Sequence, residues 1–182
     1  ALLFPLTLLA RRVGAGLAAA DPWLALIVLF PVGFVLPETA RALPPVLNCV
    51  LFVPHVLCYM FAYAIMAKAT LLSVRQLATA EGFFNRQAYR LTRLAFPLLT
   101  AGLVLGSWWG HLAWTQHWGW DPKELLSLAS WLMVLVYLHC RGPLGRWPRV
   151  LAGIVLVAMA LIVLTLLANF LPALKGLHSY AT

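Results

Sequence analysis

Carboxylates are scarce in this sequence: five Asp and Glu stand against thirteen Lys and Arg in 182 residues, and charged residues of both signs make up only 10%. Hydrophobic residues fill 63%, which leaves too little polar surface to clothe a water-soluble domain and excludes that class. Cysteine is sparser still. Cys49, Cys58 and Cys140 form neither a C-x-x-C pair nor a C-x-x-C-H motif, so the chain does not attach haem covalently to itself. A structural disulfide is not expected either, because Cys49 and Cys58 fall about two and a half turns apart on one predicted helix. Internal repeats and low-complexity segments are lacking. No Met precedes Ala1, and no small-residue cleavage site follows the apolar stretch Ala1 to Ala10. The start is therefore expected upstream, and that stretch is read as part of a span or its remnant rather than a signal peptide.

What fills the sequence instead is apolar runs near the ~20 residues that cross a bilayer. They recur at Pro22 to Leu36, Asn48 to Leu72, Leu94 to Trp114, Pro122 to His139 and Val150 to Leu171. The fold class expected is all-α, a polytopic transmembrane bundle of about five to six spans. Residues 1–182 read as a single integral-membrane domain with a Trp-rich loop at about 106–124. The segment from Arg75 to Arg93, with mixed charge, is expected to be a loop holding a short surface helix.

Short cytoplasmic loops carry the excess of Lys and Arg. Arg75, Arg86, Arg90 and Arg93 follow the second predicted span, and Arg141, Arg146 and Arg149 the fourth. Both groups fall on one side, together with Arg11 and Arg12, leaving Arg41, Lys123 and Lys175 on the other. The Trp-rich loop and the C-terminus are thus expected outside, in periplasm, lumen or extracellular space. This topology accounts for the net charge of +8 without nucleic acid as a partner.

The segment WWGHLAWTQHWGWDPKE, Trp108 to Glu124, holds five of the eight tryptophans and two of the five histidines. Its end has a purely structural reading, with Asp121 as N-cap, Pro122 at the first helical position and Glu124 completing a capping box. A single Trp at this depth reads as part of the interfacial aromatic belt. Five on one connection exceed a belt, and such a surface suits a flat apolar ligand. An ionisable residue in a membrane span is by default a functional candidate. His55, expected about two turns inside its helix, and His178, just past the last span, share a face with this loop. Two imidazoles flanking an aromatic platform suit bis-histidine ligation of haem iron. His111 and His117 are read as surface residues or as residues that support the ligands from behind, since the axial positions already have candidates.

GSWWGHLAWTQHWGWDPKELLSLASWLMVLVYLH resembles the WWD domain of the cytochrome c assembly family, and its DPKE ending resembles the CcsA (ResC) branch. FVPHVLCYMFAYA and NFLPALKGLHSYA resemble that branch's first external-histidine helix and its ending. His111, His117 and Thr115 depart from the residues usual there. The resemblance implies His55 and His178 as external ligands of haem iron, Trp109, Trp114, Trp118, Trp120 and Asp121 as the WWD signature, and His139 as a haem-iron ligand inside a later span. It implies haem b as cofactor, a CcsB/ResB-like membrane protein and an apocytochrome c with a C-x-x-C-H motif as partners, and part of a system II holocytochrome c synthase (haem lyase) as the activity. No acid or base catalyst is assigned. Two other readings fit the residues: a haem chaperone or exporter without ligase activity, and a membrane cytochrome b-type electron-transfer anchor.

Overall fold

A computed structural model describes residues 47–79 and 81–178; the predicted span Pro22 to Leu36 lies outside them. The described residues form four long helices and no strand. They are α1 (Phe52–Thr79), α2 (Gly82–Trp114), α3 (Pro122–Cys140) and α4 (Pro148–Leu167), followed by two short 3-10 turns at Ala168–Phe170 and Pro172–Leu174. All four are long and apolar enough to cross a membrane, the fourth span running Pro148–Phe170 with a mean hydropathy of 3.0. The protein is an integral-membrane helical bundle.

Two boundaries differ from the sequence expectation. The first described helix starts at Phe52 instead of Asn48, with Pro54 in its opening turn, where a missing N–H costs nothing because no intrahelical partner exists there. Cys49 therefore precedes α1, and all three cysteines are free thiols. The second difference is larger. The expected inside loop is the end of α1 and the first three turns of α2, joined through Glu81. Ala88, Leu91, Thr92, Ala95, Leu99 and Gly102 are buried at three- and four-residue intervals, a single stripe that continues into the membrane span. At 33 residues, α2 is about 50 Å long and outreaches a ~30 Å hydrocarbon core.

Helix α1 packs along α2 and also touches α4, while α3 packs on α4 and α2. Met66 and Leu72 of α1, Leu91 and Leu99 of α2, Val134 and Tyr137 of α3, and Leu151 and Ile162 of α4 form the core. Buried serine and threonine hydroxyls return to their own helices: Ser73 donates to Ala69 O, Thr92 to Ala88 O and Ser130 to Ser127 O. None is thus left unpaired in an apolar medium. Between helices, Trp131 Nε1 of α3 donates to Thr100 Oγ1 of α2 at 2.9 Å and its ring stacks on Phe96.

This antiparallel order gathers the start of α1, the end of α2, the start of α3 and the segment after α4 at one end. Arginines gather at the other. Arg141 donates to Asn85 and lies 5.0 Å from the Tyr89 ring, while Arg75 and Arg93 sit over Phe84 and Tyr89. Of the positive charges grouped from sequence, Arg75, Arg93 and Arg141 meet at this end; Arg11, Arg12 and Arg41 lie outside the described residues.

Candidate functional site

At the tryptophan end the chain assembles a site from four separated stretches. His55 lies in the first turn of α1, closer to the helix start than the two turns expected, and donates from Nδ1 to the carbonyl of Gly102 in α2 at 2.9 Å. A carbonyl can only accept, so the proton is on Nδ1 and the lone pair of the neutral ring is on Nε2. His178 sits beyond the two 3-10 turns and donates from Nδ1 to Asp121 Oδ1 at 3.0 Å. Its Nε2 is likewise the nitrogen left for a metal. A hydrogen bond from the other ring nitrogen fixes tautomer and ring orientation in metal-bound histidines.

Trp109 touches both imidazoles. Its side chain is 1% exposed, stacked on His55 at 5.7 Å between centroids and tilted against His178 at 5.6 Å. Trp114 meets Trp109 and His178 edge-on at 4.8 and 4.9 Å. The cavity beside them is about 260 Å³ and is lined by His55, His178, Trp109, Trp118, Tyr59 and Lys123, among others. Trp120 does not line it: it is 71% exposed and packs edge-on against Trp118. Trp108 is also largely exposed. The five tryptophans thus divide into a buried wedge with two flanking rings and two outward rings, and do not make one platform.

Asp121 combines the structural and functional readings in one atom. Its Oδ1 accepts from Lys123 N at 2.8 Å as a helix N-cap and also accepts from His178. Glu124 Oε2 completes the capping box from Asp121 N and holds Gly119 N as well. The Asp121 side chain is buried and its Oδ2 has no hydrogen-bond partner among the described residues. Burial holds the His178 imidazole below the ordinary range, although the Asp121 carboxylate pulls it upward. At neutral pH the ring is therefore the uncharged form that binds metal.

Three glycines make these contacts possible, and the sequence reading passed over them. A Cβ at Gly106 would lie 2.6 Å from His55 Cε1, one at Gly102 would lie 3.1 Å from the Tyr59 ring, and one at Gly176 would run into the Asp121 carboxylate. Gly102 and Gly106 are four apart in α2, a small-xxx-small spacing that lets helices approach closely in membranes. That spacing was the available signal.

The remaining histidines lie elsewhere or play another part. His111 and His117 are both exposed, with rings parallel at 6° and 4.2 Å apart; His117 reaches the rim of the cavity. His139 is at the opposite end of the bundle, exposed, and donates from Nδ1 to Leu135 O of its own helix. Among the described residues no group of three His, Cys, Asp or Glu side chains converges on a metal position. A bare ion such as zinc takes four ligands, at least three of them from the protein. Two presented imidazoles suit an iron whose other four ligands arrive with a macrocycle.

Fold and site together define an integral membrane protein that gathers two imidazoles around a buried tryptophan at one end of its bundle. The chain belongs to the cytochrome C assembly protein family, whose profile matches residues 3–178. It is 40% identical over 121 residues to the cytochrome c biogenesis protein CcsA of Gloeothece citriformis, covering 64% of this chain and 35% of that protein. It is 42% identical over 120 residues to CcsA of Nostoc punctiforme, covering 63% and 32%. With CcsA of the alga Porphyra purpurea it shares 44% identity over 96 residues, covering 51% and 29%. The chain thus spans about a third of the length of the curated relatives it matches.

Proposed function

We propose that this chain acts in cytochrome c biogenesis, holding haem b between His55 and His178 at the periplasmic or lumenal face and presenting it to an apocytochrome. One observation carries the reading. Two imidazoles from distant parts of the chain are each locked through Nδ1, share one cavity and pack on the same buried tryptophan.

When bound, haem supplies an iron that accepts two imidazoles and vinyl groups to which the thiols of a C-x-x-C-H motif can add. The chain's own part is positioning. Gly102 and Asp121 fix the two rings, and Trp109 and Trp114 keep them from turning. Reaction rates gain most from such fixed near-attack geometry. At about 260 Å³ the cavity is below the ~300–1,000 Å³ of pockets that enclose drug-sized ligands. It would admit one edge of a macrocycle and leave the other edge toward a docking client. A CcsB/ResB-like membrane protein is the expected partner. His139, exposed on α3, would take iron only together with a ligand from that partner.

The test is co-expression of the chain, with and without such a partner, alongside an apocytochrome c, with denatured products stained for covalent haem. Covalent haem should depend on His55 and His178. In the purified chain, His55→Ala or His178→Ala should each abolish the bis-imidazole spectrum, and added imidazole should restore it by filling the vacated position. Unaltered haem content and spectra in both variants would remove the assignment. Haem bound and released without any covalent product would leave a haem chaperone or exporter.

A further inference from the structure

Lys123 is the one lysine or arginine among the described residues that line the cavity. Its placement is costly on two counts. It stands in the first turn of α3, where the positive end of the helix dipole disfavours a cation. It is also half-buried against an aromatic and aliphatic wall. The nearby carboxylates do not offset this by pairing with it. Glu124 Oε2 accepts from two backbone N–H groups, and Asp121 Oδ1 is committed to the cap and to His178. The Lys123 ammonium makes no hydrogen bond or ion pair to a described residue; its backbone N–H serves the cap and its carbonyl accepts from Ser127 Oγ. Lys175 is exposed and outside the lining. A charge held at such a position, beside two imidazoles that await a metal, suits an anionic ligand group brought by the metal's carrier.

We propose that Lys123 reads a free carboxylate on the tetrapyrrole and thereby sets which edge of the macrocycle enters the cavity. The inference rests on the haem reading above. A charge-assisted hydrogen bond in a poorly hydrated site is strong enough to fix the orientation of a flat ligand that its two axial bonds leave free to rotate. With the carboxylate edge anchored at Lys123, the vinyl edge points away from the start of α3.

The experiment titrates the full chain in detergent with haem b and with haem dimethyl ester, which has the same iron and ring but no free carboxylate, and follows the Soret band. Wild type should bind the diacid ~10- to 100-fold more tightly than the diester, the range of one charge-assisted hydrogen bond. Lys123→Met should bring that ratio close to one while keeping the bis-imidazole spectrum, and Lys123→Arg should preserve the preference. Because the lysine opposes the helix dipole, Lys123→Met should not lower the thermal midpoint of the unliganded chain. A Lys123→Met ratio equal to that of wild type overturns the proposal. So does a wild-type ratio near one with both ligands bound, which would mean that the ammonium serves a lipid or client carboxylate instead. Absence of any Soret complex with wild type overturns the haem reading and this inference with it.

Discussion

The two ends of the bundle hold histidine in opposite ways. At the tryptophan end each ring is tied across the fold, His55 of α1 to a carbonyl of α2 and His178 to the residue that caps α3. At the arginine end His139 bonds only to the carbonyl one turn back in its own helix and stays exposed. Tertiary bonds fix a ring in space at the cost of close packing around it. A bond within one helix fixes only the tautomer. The first arrangement is a site preassembled within the chain. The second is a single exposed ring held within its own helix.

Filling the space that the preassembled end depends on should break this contrast most severely. Gly106→Ala puts a methyl group 2.6 Å from the His55 ring, and overpacking of this kind costs about 1–3 kcal/mol. The His55–Gly102 bond should be lost with it. In detergent the variant should show a lower thermal midpoint and little bis-imidazole haem. A variant with wild-type ligation would mean that the His55 ring has another place to stand.

Charge removal at Asp121 comes next. Asn caps helices as well as Asp does, so Asp121→Asn should fold normally, whereas Asp121→Ala should lose about 0.5–2 kcal/mol. The carboxylate also orients His178 and raises its basicity. Losing such an outer partner typically lowers metal affinity about 10- to 100-fold, and Asp121→Asn should bind haem more weakly by that order in a Soret titration. Wild-type affinity in the Asn variant would reduce the carboxylate to a helix cap.

How far the site could be read from sequence follows the same division. His55, His178 and Asp121 were legible because their side-chain chemistry is rare in an apolar chain, and the capping box at Asp121 because its signal is purely local. Gly102, Gly106 and Gly176 were not, since a glycine matters only once the face it presents and the ring that meets it are known. Trp120 was grouped with the other tryptophans by proximity in sequence, but the loop turns it outward at a backbone φ of 56°. The span boundaries failed where hydropathy stops short of helicity. The first turns of α2 carry Arg86 and Arg90 yet continue one buried stripe, and Glu81 makes no side-chain cap that would have marked their start.

A third variant sharpens the comparison from the other end. His139→Ala should leave the haem spectrum of the isolated chain unchanged, because the tryptophan end does not depend on it. In the complex with a CcsB/ResB-like partner the same change should remove one of two bis-imidazole signals. Loss of haem from the isolated chain would show that the two ends are not independent.

The smallest effect concerns Thr115. It follows the last residue of α2 and holds φ 60° and ψ 15°, with its N–H bonded to His111 O at 2.9 Å. This is the left-handed position that ends many helices, where glycine fits without strain. A β-branched residue there carries a cost of about 1–2 kcal/mol. Glycine in turn gives the unfolded chain more freedom, worth about 0.4–1 kcal/mol against it. Thr115→Gly should therefore stabilise the chain by roughly 0.5–1 kcal/mol, read as a raised thermal midpoint in detergent. Haem affinity should not move, because Thr115 is exposed, lies outside the cavity lining and bonds through Oγ1 only to the neighbouring Trp114 carbonyl. A destabilised Thr115→Gly chain would mean that this hydroxyl contributes more to the turn than the left-handed backbone costs.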